Sequence, residues 1–285
     1  MVGLLTEFDL LSKLMELVGA RQPGIRVTVC MPNKKGEIMI CYVDMEHEKA
    51  LQGAEKWVVH QVRCTDVKRR LEETSGDICL MRQYRRVTQR WLSESRIRAL
   101  VMSGNATDWT EYEEEDLLEM YRIIRGAELP ILGLCGGCQL IAMAHGAPLG
   151  PMRRLKEGEK DSYEDFAPGY FKEWGFVPVH VLRSDPLFDG LGEEPVFLAA
   201  HYWEVKEVPP GFELLASSDA CQIQVIKQVG KFVYGTHFHP EAYTEARADR
   251  RSWLINRVYS EDYTREQAAG RRLLANFFRM AGILG

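Results

Sequence analysis

Residues 131–140 read Ile-Leu-Gly-Leu-Cys-Gly-Gly-Cys-Gln-Leu, a short apolar run that breaks at Gly133, presents Cys135 and resumes beyond Gly136 and Gly137 as a helix-like stretch. A chain displays a nucleophile in this way. Glycines permit a tight strand-to-helix elbow, and a thiol at the first turn of a helix meets the partial positive charge of the helix N-terminus, which favours thiolate.

Outward from this elbow the apolar periodicity alternates between strand and helix. Upstream, Ile25–Met31 and Glu37–Val43 read as short strands flanking a turn, 46–74 as mainly helical, Ile78–Gln83 as a strand, Val87–Ser95 as a helix and Arg98–Met102 as a strand. A helix over 113–125 opens with Glu113, Glu114, Glu115 and Asp116, acids placed where a helix N-terminus favours them. Downstream, strand-like runs dominate at Phe176–Leu182, Pro195–Ala199, Phe212–Ser217, Cys221–Gln228 and Phe232–His239, and helices near 243–258 and 265–281 close the chain. Such alternation predicts an α/β fold: a doubly wound, mostly parallel central sheet with helices on both faces and the site at its carboxyl edge. An amphipathic helix over 4–19 stands apart, and 152–174, rich in charge, glycine and aromatic groups without a period, is expected to be a mobile, lid-like loop.

A nucleophilic thiol needs a base. Residues 234–241 read Tyr-Gly-Thr-His-Phe-His-Pro-Glu, and strand alternation puts His237, His239 and Glu241 toward one face. With Gly-Leu-Cys-Gly-Gly-Cys-Gln at 133–139 and Phe-His-Pro-Glu at 238–241, the chain resembles class I glutamine amidotransferases, whose patterns are G-[IVL]-C-x-G-x-Q and F-H-P-E. The resemblance spans about Glu37 to Tyr243 and implies the flavodoxin-like sheet of that family. It implies three segments: an extension over 1–36, a catalytic domain over 37–243, and C-terminal helices over 244–285 packed on that domain.

By this resemblance Cys135 attacks the side-chain amide of L-glutamine and forms a γ-glutamyl thioester, His239 takes the thiol proton and passes it to ammonia, and Glu241 orients the imidazole. The oxyanion donors match backbone N–H groups at Gly104 and Gly136, although the family's S-G-G loop here reads Ser103-Gly104-Asn105-Ala106. Asn105 tolerates positive φ better than other non-glycines, so the loop can still form. Gln139 matches the motif glutamine that helps hold substrate. Ala-Ala-His-Tyr-Trp-Glu-Val at 199–205 resembles the S-H-x-x-x-V segment that contacts the substrate's α-amino and carboxylate groups. Tyr202 and Trp203 are then pocket walls, or else core aromatics. His237, where the family commonly has glutamine, reads as structural.

Cys135 and Cys138 also spell C-x-x-C, the spacing of redox pairs and of half a zinc site. A zinc site needs two more ligands, and His237 with His239 is not a usual zinc spacing, so no metal and no cofactor is expected. Cys138 stands where the family often has histidine. It is either a redox partner that traps Cys135 as a disulfide or a residue that merely packs in the helix.

Of the 285 residues 46% are hydrophobic, enough for a large core, and a net charge of −5 from 36 basic and 41 acidic residues mixed along the chain argues against a nucleic-acid surface. Charges interrupt the apolar N-terminus, and 129–152 holds five glycines and three prolines, so neither reads as a membrane segment. An odd, scattered set of seven cysteines without a secretory signal points to reduced thiols and a cytoplasmic protein. Two enzyme readings remain: a glutaminase that supplies ammonia to a separate synthase subunit, or a stand-alone γ-glutamyl hydrolase acting on a γ-glutamyl amine or peptide. A catalytically silent regulatory protein and a C-x-x-C redox or metal protein are the alternatives. Homo-oligomerisation stays open.

Overall fold

Strand β1 (Met39–Asp44) shows how the molecule is layered: Cys41 and Val43 enter one buried cluster while Ile40 and Tyr42 enter another, as the two-residue period of a strand requires. β1 is buried on both sides, so both faces of its sheet must be covered. The computed structural model describes residues 39–242 and 267–284, all within the compact unit Glu37–Gly285. The helices read from sequence over 4–19 and 243–258 and the strand over 25–31 lie outside the described residues.

After β1 come α1 (Ala54–Ser75), β2 (Ile78–Gln83), α2 (Gln89–Glu94), β3 (Ile97–Met102), α3 (Glu114–Gly126), β4 (Ile131–Leu134) and α4 (Gly136–Ala144). There follow β5 (Leu149–Pro151), β6 (Glu173–Pro178), β7 (His180–Val181), β8 (Val196–His201), β9 (Trp203–Val205), β10 (Phe212–Ser217), β11 (Val225–Gln228), β12 (Val233–Thr236) and α5 (Gln267–Met280). The central sheet has eight strands in the order β2-β1-β3-β4-β12-β11-β10-β7. Pairing is parallel from β2 through β12 and antiparallel from β12 through β7. α3 and α4 pack on the Cys41/Val43 face, through Leu117, Met120, Ile124, Leu140 and Ile141. α1 and α5 cover the other, through Leu71, Leu273, Leu274, Phe277 and Phe278. The sheet is thus doubly wound, as the β/α alternation predicted, with the antiparallel strands added at one edge.

The elbow's glycines answer to close packing. A Cβ on Gly133 would lie 2.5 Å from the carbonyl of Gly137, and one on Gly137 would lie 2.6 Å from the carbonyl oxygen of Met102. Both are closer than carbon can approach, so α4 can lie this tightly on β3 and β4 only with glycine at both places.

The C-terminal helix α5 is joined to the sheet layer by Asn276, whose Nδ2 donates to the carbonyls of Leu187 (3.0 Å) and Asp189 (2.9 Å). Segment 152–172 holds one isolated bridge, Arg154 to Tyr170, and otherwise no regular element. Cross-links nevertheless tie it down: Arg153 donates twice to Glu159 (2.6 Å each) and buried Lys172 pairs with Asp161.

Candidate active site

β4 ends at Leu134, and Cys135 caps α4 with φ +50° and ψ −105°, a backbone conformation rare for a residue with a side chain. Two bonds hold it there. Its N–H donates to Thr236 O (2.7 Å), and its carbonyl accepts from Gln139 N–H (3.1 Å), which starts the helix ladder. The sharp elbow lifts the thiol out of the sheet at its carboxyl edge, over the N-terminus of α4.

β12 reaches the same edge one strand away. Its regular pairing stops at Thr236, so the alternation expected through Glu241 does not continue, and His237 and His239 diverge. The N–H of His239 donates to Leu198 O (2.8 Å), its ring hydrogen-bonds Cys135, and its Nδ1 lies 2.8 Å from Glu241 Oε1. Arg70 Nη1 donates to Glu241 O (3.1 Å), which fixes the acid's backbone from α1. Cys135, His239 and Glu241 therefore form one continuous line.

The electrostatics follow from this line. Burial pushes the Cys135 thiol up, but His239 and then His201 outweigh it and leave the thiol below its ordinary range. Burial pushes His239 down, yet Glu241 and Cys135 raise it to about 10. A thiolate–imidazolium pair is the resting state these opposed effects favour.

His237 goes elsewhere. Its Nδ1–H donates to Ile223 O (2.5 Å), its ring stacks on His201 at 5.1 Å, and burial together with His201 pushes it down to about 3. It is a neutral structural histidine.

Of the expected oxyanion residues, Gly104 lies directly over the thiol: a Cβ there would stand 3.2 Å from both Cys135 Cβ and His239 Cε1. Gly136 lies against Asn105, whose Oδ1 would be 1.7 Å from a Cβ on Gly136. Asn105 does not need the positive φ that it would tolerate; at the site the positive φ belongs to Cys135. The loop is shaped instead by Glu46, just past the end of β1. That carboxylate accepts from Ala106 N–H (2.7 Å), Thr107 N–H (3.2 Å) and Thr107 Oγ–H (2.9 Å).

Glu46 is therefore a positioning residue. Hydrogen bonds to a charged group contribute about 1.5–3 kcal/mol each. Glu46→Ala is expected to lower kcat about ten- to a hundredfold while Cys135 still alkylates at the wild-type rate. Unchanged kcat would show that the loop keeps its shape without the acid.

Gln139 lies in the hollow beside Cys135 with both ends of its amide engaged. Its Oε1 accepts from Trp109 Nε1 (2.6 Å) and its Nε2 donates to Trp203 O (3.0 Å), so it joins two walls of the cleft. Tyr202 and Trp203 line the same hollow as Cys135 and Gln139, with Tyr202 Oη bonded to Asp108. Tyr163, Phe166 and Trp174 form a further aromatic wall beside Cys135 and His239. The cross-linked 152–172 segment thus supplies part of the cleft.

Cys138 is fully buried, and its Sγ would lie 2.7 Å from a Cβ on Gly235. Burial drives its thiol far above the ordinary range. A sealed, protonated thiol is poorly suited to trap Cys135, so packing explains Cys138 better than the redox partnership considered from sequence.

Sequence reading also passed over the buried pair Glu173–His201, in which His201 Nε2 lies 2.9 Å from Glu173 Oε2 and Nδ1–H donates to Trp203 O at 3.0 Å. Ser218 and Gln224 donate to the same carboxylate. Glu46 could have been noticed as an acid just past the end of a parallel strand, where sites gather. Glu173, at the end of a charged loop, carries no such signal.

An elbow thiol joined to imidazole and carboxylate at the carboxyl edge of a doubly wound sheet defines a class of protein, the cysteine-triad acyl-transfer enzymes. The family model described as glutamine amidotransferase class-I matches residues 57–257, and the chain belongs to that family. A glutamine-hydrolysing GMP synthase subunit from Methanocaldococcus jannaschii is 36% identical over 154 residues, which are 54% of this chain and 70% of the relative. The corresponding subunit from Methanococcus maripaludis is 34% identical over 152 residues, 53% of this chain and 67% of the relative. A glutamine amidotransferase structure from Thermotoga maritima superposes with a TM-score of 0.55 at 16% identity, covering 85% of this chain and 97% of the other, a likeness of fold.

Proposed function

We propose that this protein is a glutaminase that hydrolyses the side-chain amide of L-glutamine and supplies the ammonia to a separate synthase subunit. The observation that carries this reading is the Cys135–His239–Glu241 line at the carboxyl edge, closed over by Gly104. Cys135 Sγ attacks the γ-carbonyl as thiolate, and the imidazolium of His239 protonates the departing ammonia. Water, deprotonated by the same imidazole, then cleaves the thioester to glutamate. Glu241 holds the imidazole tautomer, and backbone N–H groups at Gly104 and Gly136 receive the oxyanion. Gln139, Tyr202 and Trp203 shape the hollow for the amino-acid end of the substrate. The two GMP synthase relatives are themselves glutamine-hydrolysing subunits, which supports the same division of labour here.

The catalytic unit starts at residue 37 in this reading, and α5 belongs to it through its packing on the sheet. A reducing, cytoplasmic setting suits the six described cysteines, all free and buried. Among the described residues no helix is long and apolar enough to cross a membrane.

The aromatic wall of Tyr163, Phe166 and Trp174 beside the thiol favours a second reading, a γ-glutamyl hydrolase with a bulky leaving group. Release of glutamate from L-glutamine and from a panel of γ-glutamyl amides separates the two. Preference for glutamine, raised further by a synthase partner, is expected. Turnover of γ-glutamyl amides well above glutamine would establish the hydrolase instead.

A further inference from the structure

Away from the triad but on the same cleft, β1 and α1 bring three unlike donors together. His60 and Cys64 stand four residues apart on α1, so they share one face of the helix, and that face meets Asp44 at the end of β1. His60 Nε2 lies 2.8 Å from Asp44 Oδ2 and 3.3 Å from Cys64 Sγ, and the three donor atoms all fall within 4.8 Å of one another. We propose that Asp44, His60 and Cys64 form a binding site for one thiophilic divalent cation of the zinc type.

The spacing suits such an ion. Tetrahedral zinc bonds nitrogen and oxygen at about 2.0–2.1 Å and sulfur at about 2.3 Å, which separates neighbouring ligand atoms by about 3.3–3.6 Å. Here the oxygen and the sulfur already converge on one imidazole nitrogen. Admitting the ion takes an opening of about half an ångström between Asp44 and His60.

Hydrogen bonding alone accounts for the cluster incompletely. Nε2 holds at most one proton. If it donates to Asp44, Cys64 Sγ is left at best a weak share of that single proton; if it accepts from the thiol, the carboxylate loses its donor. An ion resolves this conflict. The thiol proton leaves to solvent, sulfur binds as thiolate, and neutral imidazole carries its proton on Nδ1 while Nε2 gives its lone pair to the metal.

The surroundings fit as well. Asp44 Oδ1 already accepts from Glu46 N–H (3.1 Å), which orients the carboxylate and leaves Oδ2 for the ion. Asp44 and Cys64 are buried, and His60 and Cys64 line the cleft that also contains Cys135 and His239, so a fourth position can open to a water or exchangeable ligand. Bound there, the ion adds positive charge to a wall of that cleft. The ligands differ from the C-x-x-C pair weighed from sequence, and the inference does not depend on the glutaminase reading.

Cobalt titration of the full chain, purified with chelator, tests the site, because a thiolate ligand gives Co²⁺ a strong near-ultraviolet charge-transfer band. One equivalent is expected to develop this band, displaced by Zn²⁺, and to do so equally in Cys135→Ala. Cys64→Ser should abolish the band, and Asp44→Asn, which keeps the side chain's volume, should weaken Zn²⁺ binding at least tenfold. Asp44→Asn also serves if Cys64→Ser does not fold. No charge-transfer band in the wild type, or a band that survives Cys64→Ser and vanishes in Cys135→Ala, overturns the proposal; the latter would put the ion on the triad.

Discussion

Cys135→Ala is expected to abolish release of glutamate from L-glutamine, with kcat falling about 10⁴–10⁶-fold, the scale on which removing a triad nucleophile acts. The loss should be near complete because no neighbouring group can substitute. Cys138, three residues on, is sealed in the core, its thiol driven far above the ordinary range by burial. Without a nucleophile, only water and the oxyanion donors remain, and these account for a residual of about 10³–10⁴ over the uncatalysed reaction. Cysteine already bears a Cβ at φ +50°, so alanine and serine add no backbone strain of their own, and a melting curve for Cys135→Ala and Cys135→Ser separates lost chemistry from lost fold. A well-folded variant that keeps more than a hundredth of wild-type turnover would remove Cys135 from the role of nucleophile.

His239→Ala is expected to change the pH dependence of Cys135 alkylation as well as its rate. In the wild type the thiol lies below its ordinary value, so thiolate is present above that lowered value and is lost as pH falls through it. His239 is raised to about 10, so the imidazolium partner persists through neutral pH and loses its proton only as pH climbs through about 10. Between these limits alkylation by iodoacetamide should be nearly flat. Removing His239 leaves burial, which pushes the thiol up, opposed chiefly by His201. Each unit by which the thiol then exceeds the assay pH lowers the thiolate fraction about tenfold. Labelling at pH 7 should fall at least tenfold and recover as pH rises toward 10. Superimposable profiles for wild type and variant would show that His239 does not set the thiol's charge.

Legibility in the sequence followed the range of the interactions involved. Periodicities of two and three to four residues announced β1 through α4, because strand and helix faces are local properties, and they placed α3 within a residue of its observed start. The elbow was readable for the same reason: Gly133, Cys135, Gly136 and Gly137 are neighbours in the chain, and close packing of α4 on β3 and β4 admits no side chain at 133 or 137. The antiparallel edge was read only as separate strands, since its order depends on pairings between distant segments.

What the chain alone determined, then, is the doubly wound class and the displayed thiol, each written in contiguous residues with a conformational requirement of its own, while His239 and Glu241 were picked out as partners of the thiol only by the resemblance of Phe-His-Pro-Glu to a family pattern. Tertiary structure alone decided the rest. Glu46 holds the 104–107 loop across some sixty positions of sequence, Gln139 ties Trp109 to Trp203, and Asp44 meets His60 and Cys64 only because α1 packs back on β1. Hydrogen bonds and donor clusters of this kind act over about 3 Å in space, whatever the separation along the chain. A local reading therefore could not rank one buried acid or amide above another until the sheet had brought its partner to it.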